Sequence, residues 1–159
     1  FARLQDLSRA TLTIVGDGGC RRELEQLVEQ LDLAGSVTFT GAVSDVTAPL
    51  READVFVSTS VSEGMSNALL EAMSFGLVPL VSLVSGVADV VQDGRSGLLF
   101  APDDLDAFVS RLEGVMTMSP DARRALGLKA RATVEERFGI DQIALRHVAL
   151  YKDLLTHTH

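Results

Sequence analysis

Short β-rich runs alternate with helical patterns along most of this chain, and the alternation limits the folds it can adopt. The strand candidates are TLTIV (11–15), VTF (37–39), VFVS (55–58), VPLVSL (78–83) and LLF (98–100). Between the first two, apolar residues recur at the spacing of an amphipathic helix, namely Leu24, Leu27, Val28 and Leu31. Strand, helix and strand in repeated order predict an α/β fold with a Rossmann-like parallel sheet covered by helices on both faces.

The remaining predicted helices first alternate with the strands and then follow one another without strands between them. They are 45–52, 67–75, 104–116 and a single turn at 87–91. After Ser119 and Pro120, which form a helix start signal, no strand pattern follows, and two helices are predicted to finish the chain. The first is expected to be interrupted at Gly127 and to end near Arg137, and residues 156–159 are expected to fray.

Length and charge narrow the class of protein. A chain of 159 residues is predicted to form one domain, residues 1–159, which buries a core without disulfides or metals. The formal charge of −8 argues against general binding to nucleic acids or anionic membranes, although a small anion site remains open. Cys20 is the single cysteine and no apolar run spans a bilayer, so a reducing, cytoplasmic setting is expected.

Glycines follow the first predicted strand, at the end of a parallel sheet where ligands bind. GDGG (16–19) lies between that strand and a helix, a setting in which the backbone can approach a phosphate closely. A dinucleotide site is not predicted, because Arg21 occupies the third glycine position and Thr40 and Gly41 stand where an acid is required. A plain strand-to-helix turn remains the other interpretation.

The most informative loop reads SEGMSNALLEAM (62–73) and carries two glutamates, Glu63 and Glu71. If 67–75 is helical, one face carries Asn67, Glu71 and Ser74, and the opposite face carries Leu69, Ala72 and Met73. Glu71 is then predicted to project from the second turn, beside the helix start.

This geometry suits a nucleotide. A diphosphate fits the N–H groups from Met65 to Asn67, and the helix dipole favours its charge. Glu71 can accept two hydrogen bonds from a vicinal diol such as ribose, while Glu63 lies near the group beyond the phosphates. On spacing alone, two ordinary solvated acids remain an open interpretation.

Other constellations predict less. No G-x-S-x-G elbow surrounds the serines that follow the third predicted strand, and no histidine precedes His147, so a serine hydrolase is not predicted. The histidines lack carboxylates at metal spacing and are interpreted as surface residues; they are His147, His157 and His159. Cys20 is interpreted as a buried or incidental cysteine.

Six segments of the chain occur in an order typical of one family. They are IVGDGG, VTFTG, ADVFVSTSVSEGMSNALLEAMSFGLVPLVS, SGVADVV, DGRSGLLFAPDD and ALYKDLL. Over nearly its whole length the chain resembles the C-terminal, donor-binding domain of GT-B glycosyltransferases of the large retaining family 4 (group 1). The most specific element is the E-x7-E motif, Glu63 to Glu71, set in S-x-x-E-G and followed by L-E-A-M-x-x-G.

The resemblance implies a reaction and a set of site residues. The reaction is transfer of a sugar, expected to be a hexose, from a nucleotide diphosphate sugar to an acceptor with retention of configuration, without a metal or other cofactor. The resemblance implies that Glu71 binds the ribose hydroxyls and that Glu63 contacts the transferred sugar as the catalytic glutamate. The backbone expected to face the diphosphate is that of Gly64, Met65, Ser66 and Asn67, and the residues expected to border the nucleotide are Gly16, Gly18, Thr40 and Gly41.

The chain also departs from the family's pattern. Ser85-Gly86 stands where Gly-Gly is usual, and Asp89 where a glutamate is usual. The first strand of the family's donor domain, with the arginine and lysine that grip the diphosphate, has no counterpart here, and neither has the N-terminal acceptor domain. FARLQDL (1–7) is interpreted as the end of the helix that follows that strand.

These departures predict an open slot in the sheet and an incomplete enzyme. In the family the missing strand lies between those predicted at 11–15 and 55–58, so we expect strand exchange, self-association or rearrangement there. The chain alone is expected to be inactive, and the absent domain is where acceptor choice and peripheral attachment to the inner face of a membrane are expected. A non-catalytic nucleotide-sugar-binding module, a sugar-nucleotide 2-epimerase-like domain and a flavodoxin-like domain remain alternatives, and polysaccharide or glycolipid synthesis is the expected setting.

Overall fold

The computed structural model describes residues 1–6 and 10–156, in which parallel strands alternate with helices. The elements are β1 (Leu12–Val15), α1 (Arg21–Gln30), β2 (Val37–Gly41), α2 (Thr47–Glu52), β3 (Val55–Ser58), α3 (Asn67–Ser74), β4 (Val78–Ser82), α4 (Ser85–Ala88), β5 (Leu98–Phe100), α5 (Leu105–Thr117), α6 (Pro120–Phe138) and α7 (Ile140–Thr156). The predicted α/β order is confirmed, with two helices after the last strand.

β4 is the central strand of the larger sheet, and helices pack against both of its faces. It pairs in parallel with β3 on one side and with β5 on the other, and all five of its residues are buried. Val78 and Leu80 point into one apolar cluster with residues of α5, whereas Val81 points into a second cluster with residues of α3. Because side chains alternate along a strand, β4 holds helices on both faces.

The strands form two sheets, and β1 and β3 each have an unpaired edge. β1 pairs only with β2, and among the described residues no ladder joins either strand to β3, β4 or β5. All four residues of β3 are half-buried although three are large and apolar, because described residues cover this strand less completely than β4. Both strands therefore have the free edges that the predicted slot requires.

The same half of the molecule leaves α1 uncovered. This helix forms at the predicted position, but none of its residues is buried. Leu27, in the middle of its apolar stripe, is 47% exposed. An amphipathic pattern is typical of a helix that packs on a core, so the described residues supply only part of the surface that this half requires.

Two helix predictions need correction. α6 is not interrupted at Gly127 but runs unbroken through it, because the missing side chain lets the helix backbone approach the carbonyl of Gly76. The single turn predicted at 87–91 forms two residues earlier, as α4. Its Val87 is buried in the core, and Val90 and Val91 are buried beyond its end.

The start of the chain also differs from prediction. Residues 1–4 form a turn instead of a helix end, and Leu7 lies outside the described residues. Of the residues predicted to fray, 156–159, Thr156 is still helical and 157–159 lie outside the described residues. The guanidinium of Arg3 donates to Asp106 at 2.6 Å, and the N–H of Gln5 donates to Glu113 at 3.0 Å. These contacts with α5 hold the segment, since so short a stretch cannot offset the cost of nucleating a helix.

α7 is the least buried of the long helices. None of its residues is buried, and Ile140 and Leu155 are each 78% exposed. Within the part of the chain that the structure describes, no helix has both the length and the apolar character needed to cross a bilayer.

Candidate functional site

The start of α3 is fixed by a cap. Ser66 is in an extended conformation just before the helix, and its side chain accepts a hydrogen bond from the N–H of Leu69 at 3.3 Å. Serine is a favoured N-cap because its hydroxyl satisfies a donor that has no partner within the helix. The other first-turn N–H groups and the positive end of the helix dipole remain at the carboxyl end of β3.

The two faces of α3 are the predicted ones. Leu69, Ala72 and Met73 are buried in the core, whereas Asn67 and Glu71 are exposed. Leu69 and Met73 pack with residues of β4 and α4 in one apolar cluster, which fixes the rotation of the helix. Glu71 is therefore held outward in the second turn, as the spacing predicted.

Glu63 lies in the loop between β3 and α3, and this loop is attached to the next βα connection. The buried hydroxyl of Ser82 donates to the carbonyl oxygen of Ser60 at 2.6 Å. The N–H of Gly86 donates to the carbonyl oxygen of Glu63 at 3.3 Å. The half-buried Glu63 and the start of α3 are thus supported by the segment that ends β4 and begins α4.

A second group of predicted residues lies at the carboxyl ends of β1 and β2. The N–H of Gly16 donates to the carbonyl oxygen of Gly41 at 3.0 Å and joins the two loops. Gly16 and Gly41 have φ angles of +121° and +70°, a region that favours glycine. The loop around Gly16 and Gly18 lines a cavity of about 220 Å³.

Arg21 belongs to this cavity and was not predicted as a site residue. Its guanidinium lies 2.7 Å from Glu25 and 3.4 Å from Asp17, and the hydrogen bond with Glu25 is the main reason that the pKa of Arg21 is raised. The sequence places Arg21 directly after GDGGC, which could have indicated a positive charge beside the glycine loop. That position served only to exclude a dinucleotide site. A permanently charged donor therefore lies beside the glycine loop.

The structure brings the predicted residues together as two groups. Gly16, Gly18, Thr40 and Gly41 form one group, and the other contains Glu63, Gly64, Met65, Ser66, Asn67 and Glu71. Among the hydrogen bonds, ion pairs and ring contacts of the described residues, none joins one group to the other. Each group lies at the carboxyl ends of its own strands, as expected for loops that meet one ligand.

A larger cavity lies elsewhere. It measures about 380 Å³ and is found at the amino ends of β3 and β4, where its lining includes Asp54, Leu77 and Arg123. Ligands of parallel sheets bind at the opposite, carboxyl ends of the strands. Cavity volume alone therefore does not identify the site.

The other candidates remain separate from these groups. The described residues contain no cluster of three or more His, Cys, Asp or Glu side chains that could hold a metal ion. His147 is exposed on α7, with its Nδ1 atom 2.9 Å from the carbonyl oxygen of Ile143, and His157 and His159 lie outside the described residues. Cys20 is exposed and lines the cavity next to Gly18.

Comparison with known families decides the kind of protein. The family model described as "Glycosyl transferases group 1" matches residues 1–118. The chain belongs to the group 1 glycosyl transferases. The predicted resemblance is therefore confirmed for the family.

Similar proteins agree with this family and show its fold. N-acetyl-alpha-D-glucosaminyl L-malate synthase of Bacillus anthracis is 29% identical over 155 residues, which cover 98% of this chain and 40% of that protein. Anabaena Alr3699/HepE, solved in complex with UDP and glucose, superposes with a TM-score of 0.84 at 21% identity, covering 96% of this chain and 42% of that one. The C-terminal domain of the group 1 protein LpcC from Francisella tularensis superposes with a TM-score of 0.73 at 22% identity, covering 82% and 70%.

This group 1 chain matches only part of the length of its relatives. It spans between 26% and 40% of the length of the first curated relatives that it matches. The match to a separately solved C-terminal domain agrees with the GT-B C-terminal half predicted from the sequence. The chain thus belongs to the group 1 family and has the fold of a GT-B C-terminal half.

Proposed function

We propose that this chain is the donor-binding half of a retaining glycosyltransferase that transfers a sugar from a nucleotide diphosphate sugar. The observation that carries the proposal is the geometry of the E-x7-E segment. Glu63 and Glu71 lie on either side of a helix start that is capped by Ser66 and held by the buried residues of α3. Two carboxylates beside N–H groups of a helix start match a ligand with hydroxyl groups at both ends and phosphates between them.

Each predicted residue takes a part in this proposal. Glu71, exposed on α3, accepts hydrogen bonds from the ribose hydroxyls, and Glu63 contacts the sugar that is transferred. The backbone from Gly64 to Asn67 faces the diphosphate. The loops with Gly16, Gly18, Thr40 and Gly41 border the nucleotide, with Arg21 as the nearby positive charge.

The chemistry follows from the charges that develop. The bond between the anomeric carbon and the diphosphate oxygen breaks, and an acceptor oxygen forms its bond to that carbon on the same face. The proton of the acceptor hydroxyl passes to an oxygen of the departing diphosphate, and the nucleoside diphosphate leaves with the electron pair. The N–H groups and dipole of α3 stabilise the developing negative charge, which is the electrostatic contribution that this chain offers, without a metal or other cofactor.

The proposal is tested by calorimetric titration of the purified 159-residue chain with UDP, GDP and ADP. UDP comes first because Anabaena HepE was solved with UDP. Glu71→Ala should weaken binding of the preferred nucleotide by about 1–3 kcal/mol, the range for losing a charged hydrogen-bond partner. Glu136→Ala is the matched control, since Glu136 is also an exposed helical glutamate but lies on α6, and it should leave binding unchanged.

The outcomes separate a donor site from a remnant of one. Binding that depends on Glu71 and not on Glu136 supports the proposed donor site and identifies its base. Binding that is equally insensitive to both substitutions contradicts the assignment of Glu71. A chain that binds and does not transfer or hydrolyse sugar in the presence of a nucleotide sugar acts as a binding module, with the catalytic partner groups on the absent acceptor domain.

We further propose that a strand from outside these 159 residues pairs between β1 and β3 in the whole protein. The unpaired edges of both strands and the half-buried residues of β3 support this. Rows of unpaired N–H and C=O groups favour pairing with another chain, so the isolated chain is expected to self-associate through the slot. A location in the cytoplasm, at the membrane's inner face, and a role in polysaccharide or glycolipid synthesis complete the proposal.

Sedimentation velocity over a range of concentrations tests the slot. Reversible association is expected for the wild-type chain, and Val57→Lys should weaken it because charged side chains on an edge strand oppose strand addition. Leu128→Lys, an apolar-to-charged change at a residue of α6 that is 54% exposed, should leave association unchanged. A wild-type chain that remains monomeric at all concentrations contradicts strand exchange.

A further inference from the structure

Gly86 makes an unusually close backbone contact with the loop that carries Glu63. A Cβ atom placed at Gly86 would lie 1.9 Å from the carbonyl oxygen of Gly64 and 2.3 Å from its carbonyl carbon. It would also lie 3.0 Å from the backbone nitrogen of Met65. Only a residue without a side chain lets α4 approach the loop this closely.

The backbone conformation does not explain this glycine. Among the described residues, the glycines with positive φ are Gly16, Gly41, Gly76 and Gly94, and Gly86 is not one of them. Gly86 lies within a helical turn, where alanine is more favourable than glycine by about 1 kcal/mol. The close approach to Gly64 is therefore the structural reason for a glycine here.

Both partners of this contact are connected to fixed structure. Val84, the N-cap residue of α4, and Val87 within it are buried in the same apolar cluster as Leu69 and Met73 of α3. The N–H of Gly86 donates to the carbonyl oxygen of Glu63. The position of the Glu63 loop is thus tied to the core that also sets the rotation of α3.

We propose that Gly86 is a positioning residue, whose missing side chain lets α4 hold the Glu63 loop against the start of α3. The segment from Ser82 to Gly86 then supports the loop at two places, through the Ser82 hydroxyl and through the backbone of Gly86. The consequence for ligand binding rests on the proposed donor site. Displacing the loop should move Glu63 and Gly64 relative to the start of α3, while Glu71 stays on its helix.

The chain offers a closely matched control for the steric change. A Cβ atom at Gly127 would also lie 1.9 Å from a glycine carbonyl oxygen, that of Gly76, and Gly127 likewise lies in a helix. That contact is at the turn before β4, near the amino ends of the strands. Gly86→Ala and Gly127→Ala therefore introduce the same collision at opposite ends of the sheet.

Hydrogen exchange of the ligand-free chain gives the first test, independent of any nucleotide. Gly86→Ala should raise the exchange rates of amides 62–67 about tenfold relative to Gly127→Ala, after correction for the global stability of each variant. Ser82→Ala removes the bond to Ser60 without adding bulk, and it should raise exchange in the same loop even if Gly86→Ala folds poorly. Equal exchange at 62–67 in Gly86→Ala and Gly127→Ala would overturn the proposal.

Titration with UDP and UDP-glucose gives the second test. Gly86→Ala should weaken UDP-glucose binding about tenfold and UDP binding less, because Glu63 is the carboxylate assigned to the sugar. Gly127→Ala should weaken neither beyond its effect on the folded fraction. Equal weakening of both ligands by both variants would show a merely structural role and overturn the proposal. If the wild-type chain binds neither ligand, the proposed function fails for uridine donors, and the exchange result alone decides the role of Gly86.

Discussion

Replacing each of two glycines in long helices by alanine should change the free energy of unfolding in opposite directions. Gly114 lies in α5, with no atom within 4 Å of an added Cβ, whereas Gly127 lies in α6 against the carbonyl oxygen of Gly76. Both have helical backbone, so alanine is favoured at each by conformational entropy. The difference in free energy of unfolding between the two alanine variants therefore measures the cost of crowding α6 against the turn before β4.

The magnitude follows from the distances. Ordinary contacts of a Cβ begin near 3.4 Å and the carbonyl oxygen is at 1.9 Å, so α6 must move by about 1.5 Å. Such a shift disturbs Leu126 and Ala130, which α6 buries in the core. Overpacking costs about 1–3 kcal/mol, and a collision between backbones cannot be relieved by rotating a side chain, so Gly127→Ala should cost about 2 kcal/mol net. Gly114→Ala should gain about 0.5–1 kcal/mol.

Chemical and thermal unfolding followed by circular dichroism measure both effects. A difference of about 3 kcal/mol between the two variants corresponds to about 6–12 °C in Tm for a chain of this size. The urea dependence of the unfolding free energy should stay the same in both, since neither changes the surface exposed on unfolding. A Gly127→Ala variant as stable as wild type would refute the contact between α6 and the Gly76 turn.

Three further predictions concern caps and the glycine loop. Ser66→Ala removes the cap of α3 and should lower the free energy of unfolding by about 1 kcal/mol and weaken UDP binding. Asp104→Ala removes the cap of α5 and should lower the free energy of unfolding by a similar amount but leave UDP binding unchanged. UDP should slow alkylation of the exposed Cys20 by iodoacetamide, because Cys20 lines the cavity of the glycine loop, and an unchanged rate would place UDP elsewhere. Hydrogen bonds from Thr47 hold the pKa of Asp45 below its ordinary value, so its carboxylate adds stability above that ordinary value and loses it as pH falls through the lower folded pKa. Asp45→Asn should remove this part of the acid dependence of unfolding, and an unchanged acid profile would contradict the assignment.

Sequence patterns were sufficient where local rules and burial agree. The cap at Ser119 with the following Pro120, and the aspartate start at Asp104, both open helices in the structure. The apolar residues of 67–75 fixed which face of α3 is buried, and so the outward direction of Glu71. In these cases the short-range signal and the core select the same conformation.

Sequence patterns failed where the deciding partner is distant along the chain. A glycine within a helical pattern indicates either a break or a close approach, and only the position of Gly76 shows which applies at Gly127. Gly86 drew attention for a departure at its neighbour, Ser85, although its own contact with Gly64 supports the loop. Arg21 could not be assigned because the cavity that it lines, unlike its nearby ion pairs, is built from β1, β2 and α1 together.

The most direct test of the central claim is an amide NMR titration of this chain with UDP. Shifts should concentrate in both groups of loop residues, at Gly16–Gly18 and Thr40–Gly41 and at Gly64–Asn67 and Glu71. That result would show that the two carboxyl-end groups form one nucleotide site. Shifts confined to the larger cavity at the amino ends of β3 and β4, around Arg123, or no saturable shifts at all, would contradict the account.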